Sequence, residues 1–143
     1  MDLRWKFDQT EIDWNELSEL YRIAPLGEKL PESLEIAFSN SMFKCFIFHE
    51  DVLIGAGRAL ADGRDCSYLC DIAIHPEYQG LGLGKAIVKD LVHRSEGHKK
   101  IILYTNPGNL KFYAKLGFKK LDTAMAIFQD EAQMIAIGVL SEL

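Results

Sequence analysis

The chain has 143 residues, of which 48% are hydrophobic and 26% charged, the proportions of a globular domain with one core. Sixteen Lys and Arg against twenty-one Asp and Glu leave a net charge of −5, which argues against broad binding to nucleic acid or to an anionic membrane. The longest apolar run, Met134 to Leu140, falls far below the ~18–20 residues that span a bilayer. Met1-Asp2-Leu3-Arg4-Trp5 lacks the basic-then-apolar pattern of a signal peptide, and Cys45, Cys66 and Cys70 are too few and odd in number for a disulfide scaffold. A cytoplasmic location is the expectation.

No linker or repeat interrupts the sequence, so residues 1–143 read as one domain. Arg4 to Phe7 reads as a short first strand. Asp13-Trp14-Asn15-Glu16 has the form of a capping box, in which an N-cap acceptor is followed three residues later by a Glu that reaches back. Trp14, Leu17, Leu20 and Tyr21 then recur at helical spacing until Pro25 to Gly27, and Pro31 opens a second helix with Leu34, Ala37 and Phe38 on one face. At Phe43 the period becomes that of strands. Phe43 to His49 and Val52 to Leu60 form a hairpin through Glu50-Asp51, and Asp62-Gly63-Arg64 turns into a third strand, Ser67 to Ile74.

A glycine-rich stretch, Gln79 to Gly84, leads into a helix with Ile87, Val88, Leu91 and Val92 as its buried stripe, followed by a strand from Lys100 to Thr105. Strand, loop, helix and strand make a crossover unit, so this strand should lie parallel to the third. A helix over 109–116 ends at Gly117, well placed for a left-handed C′ residue. Lys119 to Asp122 and Ala124 to Phe128 are expected to be a final strand pair. The tail from Asp130 to Leu143 is open between a strand, a packed helix and a contact with a second subunit. The class is α/β, with a mixed, mostly antiparallel central sheet flanked by helices.

The chemistry concentrates in Asp71-Ile72-Ala73-Ile74-His75-Pro76-Glu77-Tyr78-Gln79-Gly80-Leu81-Gly82-Leu83-Gly84-Lys85. Glycines at alternating positions before a helix let backbone N–H groups converge on an anion, and the helix dipole favours a phosphate there. A P-loop is excluded, because Ala86 follows Lys85 where Ser or Thr would bind Mg²⁺, and Gln79 stands where the first glycine is needed. The dinucleotide fingerprint is excluded too: counted from Gly80, its third glycine falls on Lys85, and Lys99-Lys100 stands near the place of the ribose-binding acid.

What remains, Gln-x-x-Gly-x-Gly after an apolar strand, resembles the pyrophosphate loop of the GNAT superfamily of acyl-CoA-dependent N-acetyltransferases. DIAIHPEYQGLGLGKAIV is similar to the strand–loop–helix core of that family, and NPGNLKFYAKLGFKK to its later Phe-Tyr-x-x-x-Gly-Phe segment. The two span about Ser67 to Lys120. The resemblance implies a GNAT-like fold with acetyl-CoA as cosubstrate and no metal. It implies that the N–H groups of Gly80, Leu81, Gly82, Leu83, Gly84 and Lys85, preceded by Gln79, hold the pyrophosphate. The backbone of Ile72, Ala73 and Ile74 would pair with the pantetheine arm, and Asn106 would contact the cofactor arm or the substrate.

The same resemblance makes Tyr113 the general acid that protonates the departing thiolate. Asp71, beside Ile72 on the strand that would line the cleft, is the candidate base for the acceptor's ammonium, with a water chain as the other possibility. Alternation puts Asp71 on the face opposite Ile72. Cys66 and Cys70 share a strand face, but no Cys/His set has zinc spacing, and nothing nearby marks a cysteine nucleophile. Lys99, Lys100, Lys111, Lys115, Lys119 and Lys120 form a basic cluster, read either as a solvated face or as a contact for the 3′-phosphate of CoA. The reading is direct acetyl transfer to the primary amine of a small molecule; the alternative is a non-catalytic acyl-CoA-binding module of the same fold. Glu28, Glu32 and Glu35 would suit a cationic acceptor, and the apolar tail a homodimer.

Overall fold

The structure, a computed structural model, describes residues Met1–Leu143 and divides them into two compact units, Met1–Leu103 and Tyr104–Leu143. In the first, five strands form a sheet in the order β1-β2-β3-β4-β5. They are β1 (Leu3–Lys6), β2 (Phe43–His49), β3 (Val52–Ala61), β4 (Cys66–Ile74) and β5 (Lys100–Ile102), antiparallel except for the parallel pair β4–β5. The helices of this unit are α1 (Trp14–Ile23), α2 (Pro31–Ser39) and α3 (Leu83–Arg94).

Alternation along the strands divides the core into two layers. Phe46, Phe48, Leu53, Ala56 and Ala73 pack with Leu17, Leu20 and Tyr21 of α1 and Leu34 and Phe38 of α2. Ile47, Ile72 and Ile74 turn to the other face, where Ile87 and Leu91 of α3 lie against the sheet. Gly57 lets α3 come this close, since a Cβ there would stand 2.7 Å from Cγ2 of Ile87. Burial on both faces explains why β2 and β3 read as near-continuous apolar runs.

Within Met1–Leu103 local signals behave as their chemistry predicts, with two exceptions. Asp13 caps α1, its carboxylate accepting from the N–H groups of Asn15 and Glu16, but Glu16 does not reach back. Its Oε2 accepts instead from the N–H of Leu53, 3.1 Å away, so the residue that would close a capping box ties α1 to the start of β3. The β2–β3 turn places both Glu50 (φ 50°) and Asp51 (φ 64°) in the left-handed region, the geometry a two-residue hairpin demands even without its favoured glycine. The second exception is β5, which stops at Ile102 rather than at Thr105.

The second unit holds α4 (Leu110–Lys115), preceded by a 3₁₀ turn at Pro107–Asn109, and α5 (Glu131–Ala136). Gly117, at φ 97°, closes α4 in a Schellman motif: the N–H of Phe118 bonds Tyr113 O and that of Gly117 bonds Ala114 O. Lys119 to Asp122 and Ala124 to Phe128 are not strands, which corrects the expectation. Residues 122–123 form a turn, but no ladder follows, and Met125 and Ile127 are fully exposed where a strand's inner face would be covered. The tail takes the helical option, with Asp130 accepting from the N–H of Gln133.

Candidate active site

The site is built on β4, where the ladder changes. Its pairing with β5 runs only from Cys66↔Lys100 to Tyr68↔Ile102, whereas β4 continues to Ile74. Beyond Tyr68, β4 is paired only with β3. On the β3 side this stretch carries a bulge: Ala56 pairs with Ala73 and Arg58 with Cys70, so Asp71 and Ile72 together oppose Gly57. Asp71 takes φ 56°, a left-handed conformation that a non-glycine residue adopts only when its surroundings hold it. The fully buried Tyr21 does so, donating its hydroxyl to the Asp71 carbonyl at 2.6 Å.

At this bulge the Asp71 side chain lies on the α1–α2 face with Arg58, opposite Ile72 and Ile74. Its Oδ2 accepts from Nε of Arg58 at 2.8 Å, and its Oδ1 lies 3.5 Å from Nζ of Lys29. Neither basic partner was singled out in the sequence. Arg58 carried a signal, because a guanidinium in the apolar run of β3 needs a buried anion; Lys29, in the loop between α1 and α2, carried none. Glu28, Glu32 and Glu35 are all exposed, so the side chain this loop turns toward Asp71 is basic rather than acidic.

The glycine loop follows β4 directly. His75 ends the strand as a cap, its Nδ1 accepting from the N–H of Glu77 in the 3₁₀ turn Pro76–Tyr78. Gln79 works as a brace, its side-chain amide donating to the carbonyls of Ile74 (3.0 Å) and Ala24 (3.1 Å). Gly80 and Gly82 have φ of 83° and 82°, and a Cβ at either would meet nothing within 4 Å, so backbone conformation rather than crowding requires glycine. Gly82 is the N-cap of α3. No side chain caps that end, no acid lies in its first turn, and the first helical bond is Ala86 N–H to Gly82 O. The N–H groups of Leu83, Gly84 and Lys85 therefore point out of the helix end without an intrahelical acceptor, and Leu81 and Lys85 are exposed. The turn thus presents N–H donors of the kind that can hold an anion, directly after the stretch of β4 unpaired on its β5 side.

In the second unit, Tyr113 is half-buried and meets Phe112 and Phe118 edge-on, with ring centroids 5.0 and 5.8 Å away. Burial raises its phenol above the ordinary value, so it stays protonated as a donor. Asn106 is exposed at the start of the Pro107–Asn109 turn. Burial pushes the Cys70 thiol up to about 11 and that of Cys45 to about 12, which disfavours either as a nucleophile. Of the basic cluster, Lys100 is engaged by Asp65 at 2.7 Å.

A five-stranded mixed sheet followed by a glycine-rich turn into a helix is a fold this chain shares with solved acetyltransferases. An acetyltransferase of the GNAT family from Streptococcus pneumoniae superposes with a TM-score of 0.77 at 24% identity, covering 91% of this chain and 99% of that one. A GNAT family acetyltransferase from Elizabethkingia anophelis with acetyl-CoA bound gives 0.65 at 18% identity, over 84% of this chain and 78% of that one. The model of the acetyltransferase (GNAT) family matches residues 8–118, and the chain belongs to that family.

Among curated relatives, the N-acetyltransferase ycf52 of Pyropia yezoensis is 40% identical over 127 residues, covering 80% of this chain and 73% of the relative. The glucosamine 6-phosphate N-acetyltransferase of Trypanosoma brucei brucei is 40% identical over 67 residues, 46% of each chain. The chloroplastic serotonin N-acetyltransferase 2 of Oryza sativa is 31% identical over 117 residues, 76% of this chain and 58% of the relative. Matches to three other N-acetyltransferases of the ycf52 type span 63%, 51% and 40% of those relatives' length.

Proposed function

We propose that the protein transfers the acetyl group of acetyl-CoA directly to the primary amine of a small molecule. The observation that carries this is the uncapped N-terminus of α3, entered through two left-handed glycines and adjoining a strand whose edge is unpaired beyond Tyr68. The diphosphate of CoA sits on the N–H groups of Gly80 to Lys85, held in place by the Gln79 brace. The pantetheine arm runs as a surrogate strand along Ile72, Ala73 and Ile74, whose side chains remain core while their main chain binds. An amide N–H of this stretch polarises the thioester carbonyl and steadies the oxyanion.

Asp71 accepts a proton from the acceptor's ammonium, freeing the nitrogen lone pair. The C–N bond forms, the nitrogen gives its second proton to water as the C–S bond breaks, and the thiolate takes a proton from Tyr113. Exchange with water returns Asp71 and Tyr113 to their starting states. Relatives named for glucosamine 6-phosphate and serotonin support a small amine as acceptor. The test is thiol release from acetyl-CoA across a panel of small primary amines. CoA binding without turnover of any amine, and with Tyr113→Phe altering nothing, is the behaviour of a binding module and overturns the reading.

A further inference from the structure

Asp71 has a partner on each carboxylate oxygen, and the two differ in kind. Arg58 comes from the middle of the sheet, its side chain is only 15% exposed, and it also donates through Nη1 to Oγ of the buried Ser41 at 3.2 Å. Its guanidinium lies 5.9 Å from the ring centroid of Phe38. With its Nε 2.8 Å from Oδ2, it makes a charge-assisted hydrogen bond of ordinary length. Lys29 comes from the loop between α1 and α2, its side chain is 28% exposed, and its Nζ stands 3.5 Å from Oδ1, too far for such a bond. The same Nζ lies 5.6 Å from the ring centroid of Tyr21.

A carboxylate oxygen beside an aromatic ring is the minimal site for a primary ammonium group. We propose that Arg58 is a positioning residue that fixes Asp71 through Oδ2, leaving Oδ1 as the oxygen that meets the acceptor. We further propose that Lys29 occupies the place of the acceptor's ammonium until the acceptor displaces it. The proposal rests on the acetyl-transfer reading and adds to it the residues that set the amine's position. A rigid, buried partner on one oxygen and a loosely held, loop-borne cation on the other is the asymmetry an exchangeable amine site needs. Tyr21 fixes the backbone of Asp71 and its ring faces the exchangeable cation, so both roles meet on one side chain.

Steady-state kinetics on the full chain, with serotonin and glucosamine 6-phosphate as acceptor probes, test this. Lys29→Met is expected to raise kcat/KM for the acceptor about fivefold through a lower acceptor KM, with the KM for acetyl-CoA unmoved. Arg58→Gln is expected to lower kcat at least tenfold per folded molecule, counted by calorimetric CoA binding, and Arg58→Lys to recover part of the loss. A structural role alone for Arg58 would reduce the folded fraction and leave kcat per folded molecule intact, overturning its assignment. A higher or equal acceptor KM in Lys29→Met overturns the assignment of Lys29, and that variant is readable even if Arg58→Gln does not fold. If neither probe is acetylated by any variant while CoA still binds, acetyl transfer to such amines fails and this assignment fails with it.

Discussion

Tyr113→Phe removes a phenolic proton while keeping the ring between Phe112 and Phe118, so it isolates the acid role from the packing role. The expected loss is about 10²-fold or more in kcat, with the calorimetric affinity for CoA retained. Because burial raises the phenol, its protonated form persists beyond the ordinary value near ~10. The decline of kcat that Tyr113 causes should therefore begin above that pH in a rate profile. The sign for stability is the same: the contribution of the raised phenol is fully present below the unfolded pKa and is lost as pH rises through the folded one. At Cys70, pushed up to about 11 by burial, alkylation by iodoacetamide near pH 8 should run roughly 10²-fold slower than at an unperturbed thiol. Peptide mass mapping over a time course reads this directly.

At the scale of elements, the turn into α3 and the approach of α3 to the sheet can be tested separately. Gly82→Glu puts a carboxylate at the helix N-terminus and a side chain on a φ of 82° with open space around it. The backbone strain is about 1–2 kcal/mol, so the fold should survive while calorimetry records no CoA binding. Retained binding would show that the diphosphate lies elsewhere. Gly57→Val has the opposite profile, since its Cβ would stand 2.7 Å from Ile87. Urea unfolding should show a destabilisation of about 1–3 kcal/mol. Helices and long strands were legible because caps, proline and apolar period agreed over many residues. The pair over 119–128 was not, because apolar alternation in a short segment says nothing about whether a partner strand exists. The early end of β5 was hidden for a related reason: local propensity does not say how far a strand stays paired with its neighbour.

For the whole molecule, a ligand that binds only the folded state stabilises it by mass action. CoA at a hundred times its dissociation constant should add about 2.7 kcal/mol to the unfolding free energy, read as a rise in thermal midpoint that Gly82→Glu abolishes. The chain's −5 charge sets a contrast within the molecule, since the Asp71 carboxylate is attended by two cations, Arg58 and Lys29.

The sequence by itself determined the element order from the first strand through the helix before Gly117, and the crossover around the glycine loop, because these follow from local spacing and backbone freedom. It also placed Asp71 on the face away from Ile72, though the bulge rather than plain alternation sets that direction. Only the tertiary structure decided that Asp71 sits in a bulge held by Tyr21, that Arg58 and Lys29 share its carboxylate, and that Glu16 serves β3 rather than its own helix. Those contacts join residues far apart along the chain. No local preference encodes them; they arise when packing two layers on one sheet brings unlike charges to the same depth.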